Sequence, residues 1–93
     1  MPTDGIYAQT SVKTSDAAVK ATSGVVYWVL ASAAATGGAW QLDDGDGDGT
    51  VLVSGIQSAN TTNYMAFDPP VLFKTAIFAD IPGTNVTLTV GYN

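Results

Sequence analysis

The chain contains no cysteine, no histidine, no glutamate and no arginine. Without cysteine, disulfides and thiolate metal sites are excluded, so packing, a non-thiolate ion or oligomerisation must stabilise the fold. General acid–base and nucleophilic catalysis need groups that titrate near neutrality, or a nucleophile beside a base, and the absence of His, Cys and Glu removes most of them. The chain therefore reads as a non-enzyme with no catalytic residues and no cofactor. Cations are nearly absent too: Lys13, Lys20 and Lys74 stand against eight aspartates, for a net charge of −5. Three scattered lysines cannot neutralise a run of phosphates, which argues against nucleic-acid binding and against an anionic membrane surface. No apolar run approaches the roughly 18 residues of a membrane span. The opening residues, Met1-Pro2-Thr3-Asp4-Gly5, lack the basic start and apolar core of a signal peptide, so the expectation is a soluble product made in the cytoplasm.

What remains is apolar and β-prone. Hydrophobic residues make up 46% of the 93 and charged ones only 12%, about half the usual share, which predicts one compact core and a weakly charged surface, part of it meeting another protein. Apart from alanine, good helix formers are scarce, while Gly, Thr, Val, Asp and Asn are plentiful, the balance of strands joined by turns. Residues 1–5 read as a flexible N-terminal arm and residues 6–93 as a single domain.

The organising stretch is residues 40–53. Two apolar runs, one around Trp40 and Leu42 and one around Val51 and Val53, flank a loop of Asp and Gly, a hairpin with an acidic tip. Residues 6–12 form a first strand in this reading. Residues 13–23 continue as extended chain around Val19, in preference to a helical turn over residues 16–20 that would be too short to hold itself. Val25-Val26-Tyr27-Trp28-Val29-Leu30 is apolar on both faces, which predicts core on one side and neighbouring chain or a second subunit on the other. Through the small residues 33–38 it is expected to pair with residues 40–43 as a hairpin. Residues 63–67 form another strand, ended by Asp68-Pro69-Pro70, after which Val71 restarts in a new direction. In the last strand Val86, Leu88, Val90 and Tyr92 alternate with Asn85, Thr87, Thr89 and Gly91, which places the first set in the core. Seven to eight such strands, spaced about 8–12 residues apart with turn signals between them, predict an all-β fold, an antiparallel β-sandwich or jelly roll.

Three constellations could carry chemistry. Asp44-Gly45-Asp46-Gly47-Asp48-Gly49 matches the opening D-x-D-x-D-G of a calcium loop, so Asp44, Asp46 and Asp48, with Asp43 beside them, are the candidate metal ligands. Position 12 of that motif is Gly55 instead of a bidentate Glu, so an EF-hand is excluded and a solvated hairpin tip is the favoured reading. Trp28, Trp40, Tyr27, Tyr64, Phe67 and Tyr92 either fill the sandwich interior, as alternating strand positions suggest, or form a sugar-stacking platform. Asn60-Thr61-Thr62 and Asn85-Val86-Thr87 match the glycosylation sequon, read as chance in a cytoplasmic product.

The succession Gly24-Val25-Val26-Tyr27-Trp28-Val29-Leu30, a Gly-rich turn, Trp40-Gln41-Leu42-Asp43-Asp44-Gly45, Thr50-Val51-Leu52, Pro69-Pro70-Val71-Leu72-Phe73-Lys74 and Asn85-Val86-Thr87-Leu88-Thr89-Val90-Gly91-Tyr92 resembles small virion proteins of tailed bacteriophages, of the head-decoration or capsid-cement kind. The resemblance implies a β-sandwich on the exterior of the capsid, a homo-oligomer with a trimer favoured, whose partner is the major capsid protein. A chain opening at Met1 and closing on its terminal strand fits a free-standing virion part. The competing expectation is a calcium- or carbohydrate-binding sandwich module of a larger secreted or adhesive protein.

Overall fold

The computed structural model describes residues 9–45, 49–83 and 85–93, and every described element is a strand or a turn. Eight strands, β1 (Gln9–Lys13), β2 (Ala17–Lys20), β3 (Gly24–Ala33), β4 (Gly38–Asp44), β5 (Thr50–Gln57), β6 (Thr62–Phe73), β7 (Ile77–Asp80) and β8 (Val86–Tyr92), form two four-stranded antiparallel sheets in the orders β1-β8-β3-β6 and β2-β7-β4-β5. These orders nest the strands as pairs 1/8, 2/7, 3/6 and 4/5. A long hairpin folded over on itself in this way is a jelly roll. The all-β expectation holds. Of the predicted first strand, residues 9–12 lie in β1 and residues 6–8 lie outside the described set, while residues 17–20 are extended and not helical.

Two expectations are corrected. Residues 25–30 and 40–43 do not pair: β3 belongs to the first sheet and β4 to the second, so residues 34–37 cross between layers. Among all successive strands only β4 and β5 are neighbours in one sheet, the hairpin the Asp/Gly loop announces. Nor do the prolines end a strand. β6 runs through Asp68-Pro69-Pro70, with a cis bond at Asp68–Pro69, and resumes its pairing with β3 on the far side. Between the pairs Val26↔Val71 and Trp28↔Ala66, Tyr27 alone faces Phe67, Asp68, Pro69 and Pro70, so the prolines occupy a bulge on an edge strand. No ladder donor is demanded of them there.

The core fills the space between the sheets. Trp40, Leu42 and Ile77 from one sheet meet Phe73, Val29 and Leu88 from the other, all at most 1% exposed. Val86, Leu88 and Val90 point inward as the period-2 pattern requires, Tyr92 packs against the core margin, and Thr87 and Thr89 lie on the opposite face. Directly across from Trp40 stands Gly55, and a Cβ built there would lie 2.6 Å from the indole. The ring thus occupies the volume a side chain at 55 would need. A buried polar side chain links the two sheets: Gln57 of β5, 3% exposed, donates from Nε2 to the Ala31 carbonyl of β3 and to Thr61 Oγ1, each at 3.2 Å.

Candidate functional site: the acidic turn and the outer face of the first sheet

Asp44 closes β4, and its carboxylate reaches the β6–β7 connection. Oδ1 accepts from the backbone N–H of Thr75 (2.7 Å) and Ala76 (3.3 Å), and Oδ2 from that of Lys74 (3.0 Å). The Ala76 carbonyl in turn accepts from Gly45 N–H at 3.3 Å. Asp44 is thus the acceptor that organises the turn after β6, occupied by backbone donors. Asp43 is fully buried on β4, and Asp46 and Asp48 lie outside the described residues. Among the described residues no three His, Cys, Asp or Glu gather where they could hold a metal.

A second acidic feature arises only in three dimensions. Asp16, in the turn before β2, accepts from Ile81 N–H at 2.7 Å, while Asp80 accepts from Gln41 Nε2 at 3.1 Å across the β4–β7 pair. The two carboxyls adjoin. Loss of hydration, and then the charge of Asp16, raise the Asp80 carboxyl above its ordinary 3.8, whereas the N–H groups of Thr75 and then Lys74 hold Asp44 below it. The signs follow from linkage. A lowered folded value gives stability that is present above the unfolded pKa and lost as pH falls through the folded one. A raised value gives stability present below the unfolded pKa and lost as pH rises through the folded one. Asp80→Asn is therefore expected to raise Tm at pH 7, with the gain shrinking as pH falls toward 4, whereas Asp44→Asn lowers Tm at pH 7 and its penalty fades below about pH 3.8. Thermal melts of the two variants and the parent between pH 3 and 8 check both; parallel curves at every pH would contradict them.

The aromatic residues divide between two environments. Trp40 is buried, and Phe67 and Tyr92 pack against the core margin, as the interior reading expects. Tyr27 sits half-exposed at the bulge. Trp28 and Tyr64 are different: they stand on the outer face of the first sheet, ring centroids 6.0 Å apart at an interplanar angle of 39°. The bulge at Tyr27 is the cause. Val26 is buried, and unbroken alternation would bury Trp28 as well, but the register shift between them turns Trp28 outward and brings Val29 and Ala31 into the core.

The outer face can be read from the register as rows of cross-strand neighbours. One row runs Thr10, Gly91, Trp28, Ala66, and the next Val12, Thr89, Leu30, Tyr64. Val25 and Leu72 form a further pair on the same face. Gly91 has no side chain because the Trp28 indole takes its place; a Cβ there would lie 2.2 Å from Nε1 and Cε2. The indole thus lies flat on the strand beside it. Val12, Tyr64 and Leu72 are 58%, 62% and 57% exposed, and none of these rows carries a charged residue. At one end Ser32 and Thr87 lead into an open cleft of about 500 Å³ that also takes in Thr36 and Asn85. The face can bury apolar and aromatic surface against a partner, or stack the ring of a neutral ligand.

No family model, curated protein or solved structure matches the chain.

Proposed function

We propose that this protein is a non-enzymatic virion structural protein of the tailed-phage decoration or cement type, homo-oligomeric and trimeric by preference. In this reading it is made in the host cytoplasm and stabilises the capsid exterior by contacts with the major capsid protein. The observation that carries the reading is the set of uncharged rows on the outer face of the β1-β8-β3-β6 sheet, where exposed Val12, Tyr64 and Leu72 surround half-buried Trp28 and Leu30. An isolated subunit with this face in water leaves apolar area that association would cover. The jelly roll is an architecture of viral shells and of lectins alike, so the fold supports the class by analogy alone.

The test is a charge placed on that face. Val12→Asp and Tyr64→Asp replace exposed side chains, so folding stability should change by no more than about 0.5 kcal/mol. Buried in an interface, the new carboxylate should weaken association by about 2 kcal/mol or more, roughly thirtyfold. Light scattering is expected to give a trimer for the parent and smaller species for the variants. Sedimentation with shells of the encoding phage is expected to retain the parent only. Variants that associate and bind shells like the parent would remove the reading.

One observation favours a second reading, a carbohydrate-binding module. Trp28 lies against Gly91 with the Tyr64 ring tilted by 39° beside it, and the face continues into a cleft lined by Ser32, Thr36, Asn85 and Thr87. Stacking on a neutral sugar would need that arrangement. A monomer whose tryptophan fluorescence responds to neutral oligosaccharides, with the response lost in Trp28→Ala, would favour it over the shell protein.

A further inference from the structure

A β-sandwich of two open sheets has four edges, and here three are blunted. β1 has five residues and ends in Lys13; β2 has four, carries Lys20 and is bulged between Ala18 and Lys20; β6 carries Pro69 and Pro70 in its bulge. Short length, lysine, proline and bulges are the devices by which sheet edges are kept from pairing with other chains. β5 is protected least. Its eight residues, Thr-Val-Leu-Val-Ser-Gly-Ile-Gln, include no charge and no proline. One irregularity, at Leu52, lies near its start, where the pairs Leu42↔Val53 and Asp43↔Val51 leave it without an opposite residue. From residue 53 to residue 57 the register with β4 is unbroken. Ile56, 81% exposed, is the most exposed of the large apolar side chains described.

We propose that β5 is a self-association edge: residues 53–57 of two copies pair antiparallel about a twofold axis, joining two β2-β7-β4-β5 sheets into one continuous sheet. The backbone of an edge strand is completed by another strand, which defines the shape of the occupant. Charge identifies it as a second copy. A second copy of a chain of net charge −5 is repelled least where the surface carries no charge, and no charged residue occurs from Gly49 to Phe67. Charge also sets the direction. The Asp-rich connection enters β5 at Thr50, whereas β5 leaves through Gln57 into uncharged Ser58-Ala59-Asn60. Parallel pairing would set two acidic connections side by side. Antiparallel pairing sends them to opposite ends: with Gly55 across from Gly55, Thr50 of one copy stands about 33 Å from Thr50 of the other at the rise of an extended strand, beyond the roughly 8 Å over which physiological salt leaves charges unscreened. On the outer side Ile56 of each copy then lies across from Ser54 of the other, covering the side chain that is most exposed in the single chain. A contact of five residues is small, so the association is expected to be weak and dependent on concentration. It concerns a different sheet from the shell-facing surface and does not rest on that reading.

The chain's lack of cysteine makes the test direct. Ser54→Cys places a single thiol on the outer face of the edge, and Ala39→Cys places one at another exposed position, on β4, one strand further in. With a short bis-maleimide at high protein concentration, Ser54→Cys should form covalent dimer on the order of tenfold faster than Ala39→Cys. Adding Ile56→Lys to Ser54→Cys should bring the rate down to that of the control, and thermal melts confirm that each variant is folded. Folded Ser54→Cys that links no faster than Ala39→Cys overturns the proposal, as does linking that survives Ile56→Lys. Linking that appears only when a capsid protein is added also overturns it, since the edge would then take a foreign strand. Tyr64→Asp separates the two surfaces: it should leave Ser54→Cys linking unchanged, and its loss would move the contact to the first sheet.

Discussion

Gly55→Ala should lower the stability of this domain by about 2–3 kcal/mol, more than its single methyl group suggests. The new Cβ would stand 2.6 Å from Trp40 Cζ2 and 2.7 Å from Cε2. At 1% exposure the indole is enclosed by the core of both sheets, so it cannot swing away without displacing other side chains. Overpacking of a filled interior costs about 1–3 kcal/mol, and the rigidity of this ring places the site toward the upper end. For a domain of this size that is a drop in Tm of about 10 °C or more, readable by calorimetry. Gly91→Ala is the internal comparison. It meets the other tryptophan at 2.2 Å, but Trp28 is half-exposed and can rotate into solvent, so the stability loss should be smaller. An equal loss at both positions would show that ring mobility does not govern the cost.

Gln57→Leu should cost about 1–3 kcal/mol although it keeps the side chain's volume and adds apolar character. The amide joins β5 of one sheet to the Ala31 carbonyl of β3 in the other, and also holds Thr61, whose hydroxyl donates to the Ser58 carbonyl at 2.7 Å. Thr61 and Asn60 are tied to the end of β3 as well, through Ala33 N–H to the Thr61 carbonyl at 2.9 Å and Asn60 N–H to the Ala34 carbonyl at 2.6 Å. Leucine removes the donor while burying the site, which costs the desolvation of the group left unpaired. Urea unfolding should show a lower midpoint with an unchanged slope, and hydrogen exchange should quicken at Asn60. A variant as stable as the parent would mean that shape alone holds the crossover.

The sequence by itself determined the all-β class, the inward face of the last strand, and the one hairpin among the described strands that closes within a sheet. Each follows from local physics. Alternation in Val86-Thr87-Leu88-Thr89-Val90 sorts side chains to two faces wherever the strand lies, and the Asp/Gly run between Leu42 and Val51 offers the backbone freedom a reversal needs. Tertiary structure decided what depends on partners distant in the chain. Residues 34–37 could have closed a hairpin or crossed between layers, and the choice fell to the nested pairing of β3 with β6 and β8. Pro69 and Pro70 are strand breakers only where a ladder donor is demanded, and an edge bulge makes no such demand. Trp28, between Tyr27 and Val29, and Trp40, between Ala39 and Gln41, both read as candidates for the sandwich interior. A single bulge at Tyr27 reversed the parity of β3, so one indole fills the core while the other lies on the surface, beside a glycine 63 positions further along that only pairing could bring to it.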